Sequence, residues 1–139
     1  MGIFVNPGNA KFRKKLNSKI YVDKSPMVNE LNELIGTDDC FVCMSRARRF
    51  GKTMMTNLMS AYYSKNCDSR EIFEQLKLSK EEGWDKYLNS VNVIQIDLQG
   101  FFSKTKDKSQ VIDKLQADVV DELREQFHSA IIPANAVIA

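Results

Sequence analysis

Gly51-Lys52-Thr53 is where residue types and spacing in this chain most directly imply chemistry. In a phosphate-binding loop the lysine reaches the terminal phosphates as a point charge, and the Ser/Thr hydroxyl ligates magnesium. These three residues supply the second half of that signature. The first half departs from it, because the position five before Gly51, where the pattern has glycine, is Arg46. Glycine there permits a tight turn at positive φ, so an arginine predicts a differently bent loop or local strain. Arg46, Arg48, Arg49 and Lys52 place four cations within seven residues. Such a cluster favours a polyanion by charge and, through arginine, by forked hydrogen bonds.

The loop needs a strand before it and a helix after it. Cys40 to Met44 is an apolar run suited to a strand covered on both faces. From Lys52 onward, Met55, Leu58, Met59 and Tyr62 recur at the spacings of one helix face. A turn between the two would aim the first backbone N–H groups of the helix, at the positive end of its dipole, toward an anion. The plainer reading is a solvated basic turn between an ordinary strand and helix.

Ser45-Arg46-Ala47-Arg48-Arg49-Phe50-Gly51-Lys52-Thr53 resembles the Ser-Arg-Pro-Arg-Arg-Phe-Gly-Lys-Ser/Thr loop of the AAA-ATPase-like P-loop family. Asn6-Pro7-Gly8, Tyr21-Val22-Asp23-Lys24-Ser25, Ala61-Tyr62-Tyr63, Cys67-Asp68-Ser69-Arg70 and Val93-Ile94-Gln95-Ile96-Asp97 are similar to that family's early segments. The arginine at the first glycine position is shared with the family, whereas Ala47 stands where proline is usual. The resemblance implies a single α/β domain over residues 1–139, the N-terminal part of a P-loop NTPase three-layer sandwich with a mostly parallel sheet, ending before the Walker B strand. It implies that Arg46, Ala47, Arg48, Arg49, Phe50, Gly51, Lys52 and Thr53 bind ATP, with Mg2+ on Thr53. A nuclease-like domain often follows in this family, which brings nucleic acid in as a partner of the longer protein. Hydrolysis by these 139 residues alone is not expected, since no acid has the Walker B context.

Composition agrees with a soluble, cytoplasmic domain: 139 residues leave room for one domain with a sizeable core, 43% hydrophobic with 27% charged is ordinary for a soluble chain, and the net charge of +2 says little. No run reaches the length of a membrane span, and the N-terminus lacks the form of a signal peptide. Three cysteines argue against a disulfide framework. On a strand, Cys40 and Cys43 would point to opposite faces, so buried thiols are expected there rather than a metal site. His128 reads as a surface helix residue.

Along the chain, Asn6-Pro7-Gly8-Asn9 is a turn cluster, and Lys11 to Lys19 reads as basic and solvated. Ser25-Pro26 predicts a helix start, with Val28, Leu31, Leu34 and Ile35 on its core side and Gly36 to Asp39 ending it. Glu71 to Leu76 and Lys80 to Leu88 read as short helices anchored by Phe73, Leu76, Trp84, Tyr87 and Leu88. Val91 to Leu98 is the second expected strand. Its Asp97 is a weak candidate for a catalytic acid, against a strand-end acid bonding nearby backbone. Ser109 to Ala130 reads as the last helix, capped by Asp107 or Ser109, and the apolar tail Ile131 to Ala139 suggests a chain cut before its next element, with unpaired edges prone to self-association. A second functional class stays open: a module without hydrolysis whose arginine loop holds nucleic-acid phosphate or a protein partner.

Overall fold

The structure is a computed structural model and describes residues 2–104 and 108–128. Among them six α-helices form: α1 (Ala10–Leu16), α2 (Met27–Leu34), α3 (Lys52–Tyr63), α4 (Arg70–Glu74), α5 (Leu98–Lys104) and α6 (Val111–Gln126). A 3-10 turn, Lys77–Lys80, follows α4. Gly36, at φ +81°, closes α2 in the left-handed conformation, with Thr37 N–H donating to Leu34 O at 3.1 Å.

The expected α/β sandwich is not what the chain builds. The described residues contain no sheet, only two isolated bridges, Val5 with Ile94 and Ser64 with Val91. The reason lies in where the backbone hydrogen bonds go. Val91 N–H donates to Tyr63 O at 3.1 Å, Val93 N–H to Asn6 Oδ1 at 2.8 Å and Gln95 N–H to Phe4 O at 2.8 Å. The second expected strand thus spends its donors on the end of α3 and on the N-terminal segment. Its last residue, Leu98, already begins α5. Cys40 to Met44 pairs with no described residue, and all five side chains are exposed, Phe41 by 93%. The two runs face each other across a cleft of about 400 Å3 lined by Leu31, Leu34, Val42, Tyr63 and Val93. Cys40 and Cys43 are therefore exposed, not core thiols.

The core lies instead between helices. Phe12 of α1, Val28 of α2, Leu58 and Tyr62 of α3, Phe73 of α4 and Leu78 are fully buried together. The face foreseen for α3 is the one that packs: Met55, Leu58 and Tyr62 are buried, with Met59 half-buried. Trp84, Tyr87 and Leu88 pack on this core from a series of turns, where a helix was expected. Helix α1 replaces the solvated basic segment that the sequence suggests, because four cations disguise the i, i+4 pair Phe12 and Leu16. Val5, Val111, Val119 and Val120 are buried outside that cluster. There Glu122 of α6 accepts from the backbone N–H groups of Phe4 and Val5 at 3.0 and 2.8 Å. Helix α6 starts at Val111 with Gln110 as its N-cap. Asp107 and residues 129–139, on which the other expected cap, the end of the helix and the tail fall, lie outside the described residues.

Asp23 ties the segment before α2 to the turn after α4. Its carboxylate accepts from Lys77 N–H at 2.7 Å and from Ser25 N–H at 2.8 Å. Burial alone would raise its pKa, but these N–H donors outweigh burial and hold it below the ordinary 3.8. A lowered folded pKa means that the stabilisation is complete above the ordinary carboxylate value and is lost as pH falls through the folded one. Asp23→Asn is expected to lower the melting temperature at pH 7 and to flatten its decline below pH 4. A thermal scan across pH 2 to 7 in both proteins checks this, and parallel curves would refute it.

Candidate phosphate-binding site

The loop Arg46 to Gly51 joins the extended Cys40 to Met44 run to α3. The expected strain at Arg46 lies elsewhere: the positive-φ positions are Arg49, at 69°, and Gly51, at 85°. A non-glycine residue held there costs about 1–2 kcal/mol, a strain that tends to collect at binding loops. Phe50 N–H donates to Ala47 O at 3.3 Å, which closes the turn.

Gly51 is the N-cap of α3 and offers no side chain to it, and no acid stands in the first turn. The earliest N–H groups of the helix therefore keep their capacity for an outside acceptor. Lys52 Nζ reaches back to Arg46 O at 2.5 Å and Ala47 O at 3.3 Å. Lys24 Nζ donates to Phe50 O at 3.3 Å and would lie 3.9 Å from a Cβ at Gly51, so a second ammonium sits over the turn. Arg46, Arg48, Arg49 and Lys52 are exposed, and among the described residues no acid pairs with them.

These groups border a cleft of about 460 Å3 lined by Lys24, Arg46, Lys52 and Glu30 on its polar side and by Met27, Met44, Phe50 and Met55 on its apolar side. Its size and mixture of apolar wall with a few polar groups are those of a small-molecule site. Three cations against one carboxylate select for an anionic ligand. Lys24 and Glu30 escape a motif search because they come from the segment before α2 and from α2 itself. The one signal available for Lys24 is its place within Tyr21-Val22-Asp23-Lys24-Ser25. Neighbouring Tyr21 packs edge-on to Phe12, and burial, with the charge of Asp23, pushes its phenol up to about 12.

Thr53, exposed in the first turn of α3 beside Lys52, faces a different cleft, and its hydroxyl has no hydrogen-bond partner among the described residues. That leaves the oxygen free to ligate, while no group of three His, Cys, Asp or Glu able to hold a metal occurs among the described residues. A magnesium ion there would depend on oxygens supplied by a bound phosphate.

Asp97 is not brought to the loop cleft. It lines a separate hollow of about 190 Å3 with Phe4, Lys11, Gln95 and Gly100. Its Oδ1 accepts from Gly100 N–H at 3.0 Å and its carbonyl from Phe101 N–H at 3.1 Å, the geometry of an N-cap on α5. Asp97→Ala is expected to cost about 1 kcal/mol of stability, typical for loss of a cap, with nucleotide affinity unchanged. Chemical denaturation with and without ATP measures both. His128 is exposed after the end of α6, its Nδ1 3.3 Å from Arg124 O.

A family model described as a predicted AAA-ATPase matches residues 8–134. No curated protein and no solved structure gives a significant match. No helix among the described residues is long and apolar enough to cross a membrane.

Proposed function

The chain belongs to the AAA-ATPase-like family, and on that premise we propose that the loop Arg46, Ala47, Arg48, Arg49, Phe50, Gly51, Lys52 and Thr53 binds a nucleoside triphosphate, ATP with magnesium. The observation that carries the reading is the convergence of Lys24, Arg46 and Lys52 on one cleft at the uncapped amino end of α3. The first N–H groups of α3 and the ammonium of Lys52 hold the phosphates, Lys52 exchanging the carbonyls of Arg46 and Ala47 for phosphate oxygens. Arg46, which lines the same cleft, neutralises their charge. Thr53, which borders the neighbouring cleft, would be the protein's ligand to magnesium, and the ion would supply charge neutralisation to the phosphates. Met27, Met44, Phe50 and Met55 offer the apolar wall against which a base packs.

A ligand that binds only the native state must stabilise it. ATP with magnesium is therefore expected to raise the melting temperature of the chain, and AMP to do so much less, because it lacks the terminal phosphates. A transition unmoved by millimolar ATP would overturn the reading.

A further inference from the structure

Half of the 20 lysines and arginines, but one of the 18 acids, fall within residues 10–24 and 46–52. The rest of the chain is correspondingly acidic, so the net charge of +2 conceals a molecule of two unlike parts. The loop accounts for four of those cations. Four of the others, Lys11, Arg13, Lys14 and Lys15, lie on α1, which Phe12 anchors in the core and which packs against α3. With Phe12 turned inward, Lys11, Lys14 and Lys15 stand outward at the i, i+3, i+4 spacing of one face. Together with Ser18, Thr53, Met54 and Asn57 they line a concave cleft of about 380 Å3 on the flank of α3.

Helix electrostatics does not account for this face. Lysines in the last turn offset the helix dipole, and Lys14 and Lys15 do that for α1. Lys11 stands in the first turn, where the dipole disfavours a cation and no acid offsets it. The Lys11–Lys14 and Lys11–Lys15 spacings set like charges against each other, which weakens a helix. No acid forms an ion pair with any of the three among the described residues, and Asp97, across the neighbouring hollow from Lys11, is engaged as the cap of α5. The charge is held against the helix's own preference, as expected where an external anion repays it.

We propose that the α1 cleft, through Lys11, Lys14 and Lys15, binds the phosphodiester backbone of a nucleic acid. Lysines serve as point charges toward phosphates, while Ser18 and Asn57 add neutral hydrogen-bonding groups. No aromatic side chain lines the cleft, so bases are not stacked and contact is independent of sequence. Its concavity and the lack of a large apolar side chain other than Met54 set it apart from a face that rests on a bilayer, which needs an apolar side to bury. The cleft lies on other residues than the triphosphate site except for Thr53 at its edge, so the two readings can fail separately.

The test is fluorescence anisotropy with a labelled 20-nucleotide single-stranded DNA of mixed sequence, titrated between 50 and 300 mM salt. Each phosphate contact to a single strand contributes about −0.7 to the slope of log K against log salt. The triple variant Lys11→Gln, Lys14→Gln, Lys15→Gln is expected to flatten the slope by about 2 and to weaken binding at least tenfold at 50 mM salt. Each single variant should flatten it by about 0.7, which keeps the test open if the triple variant folds poorly. A charge-matched control, Lys65→Gln, Lys80→Gln, Lys86→Gln, should leave most of the binding, and the α1 triple variant should keep its melting shift with ATP. The proposal is overturned by no binding of the unaltered chain at 50 mM salt, by an unchanged slope, or by an equal loss in the control. It is equally overturned if the triple variant loses the ATP shift, or if phosphatidylserine vesicles displace the DNA through these same lysines.

Discussion

Lys52→Ala is expected to weaken binding of ATP with magnesium by about 10- to 100-fold, the consequence of losing a charged hydrogen bond of about 1.5–3 kcal/mol. At an ATP concentration a hundred times the Kd, the native state gains about 2.7 kcal/mol, or roughly 10 °C in melting temperature for a domain of this size. A hundredfold loss of affinity at that concentration leaves about 0.4 kcal/mol, so the shift nearly vanishes. The effect is separable from damage to the fold. Lys52 is exposed and bonds only carbonyls of its own loop, so the melting temperature without ligand should move little. Cys43→Ser, on the exposed extended run, should keep the full shift. Differential scanning fluorimetry on the three proteins reads all of this, and a Lys52→Ala protein with an undiminished ATP shift would sink the phosphate-loop reading.

The loop and its helix are legible in the sequence because their signals are local. Gly51-Lys52-Thr53 fixes where the helix begins, and the i, i+3, i+7 series Met55, Leu58 and Tyr62 fixes which face is buried. Gly36 as the stop of α2 and Phe73 as an anchor are legible for the same reason. Pairing is not local. Val91 to Leu98 has the residue types of a strand, but those types describe a pleated, half-buried surface and do not name its partner. Its donors find Tyr63 and the segment Phe4 to Asn6, and Cys40 to Met44 is left exposed beside them. The candidate site divides in the same way. Arg46 and Lys52 can be read from spacing, whereas Lys24 and Glu30 reach the cleft through the packing of α2 on α3, which no motif encodes. Asp97 shows the converse: an acid at the end of an apolar run suggests a catalytic group, yet the residues after it turn into a helix that uses it as a cap.

Phe73→Ala should have the largest effect on stability. Its ring is fully buried, stacks on Phe12 at a centroid distance of 5.7 Å and meets Tyr62 edge-on at 5.3 Å. One side chain thus joins α4 to both α1 and α3, and among the described residues no other ring pairs with both Phe12 and Tyr62. Truncating a buried phenylalanine costs about 3–5 kcal/mol, the transfer free energy of the lost atoms plus the cavity left behind. Set against a total of about 5–15 kcal/mol for an ordinary domain, that loss removes a large fraction of the stability, and a fall of at least 10 °C in melting temperature is expected. Phe73→Leu, which keeps much of the volume, should lose less than half as much. Phe41→Ala, on a side chain 93% exposed, should change stability by no more than about 0.5 kcal/mol. The functional consequence follows from geometry. Phe12 seats α1 on Phe73, so a cavity there loosens the helix that carries Lys11, Lys14 and Lys15 before it disturbs the loop at the far end of α3. At temperatures where the Phe73→Ala protein is still folded, DNA binding should therefore weaken more than ATP binding. If Phe73→Ala and Phe41→Ala instead melted within a degree of each other, the helices would have to be held by something other than the aromatic contacts among Phe12, Tyr62 and Phe73.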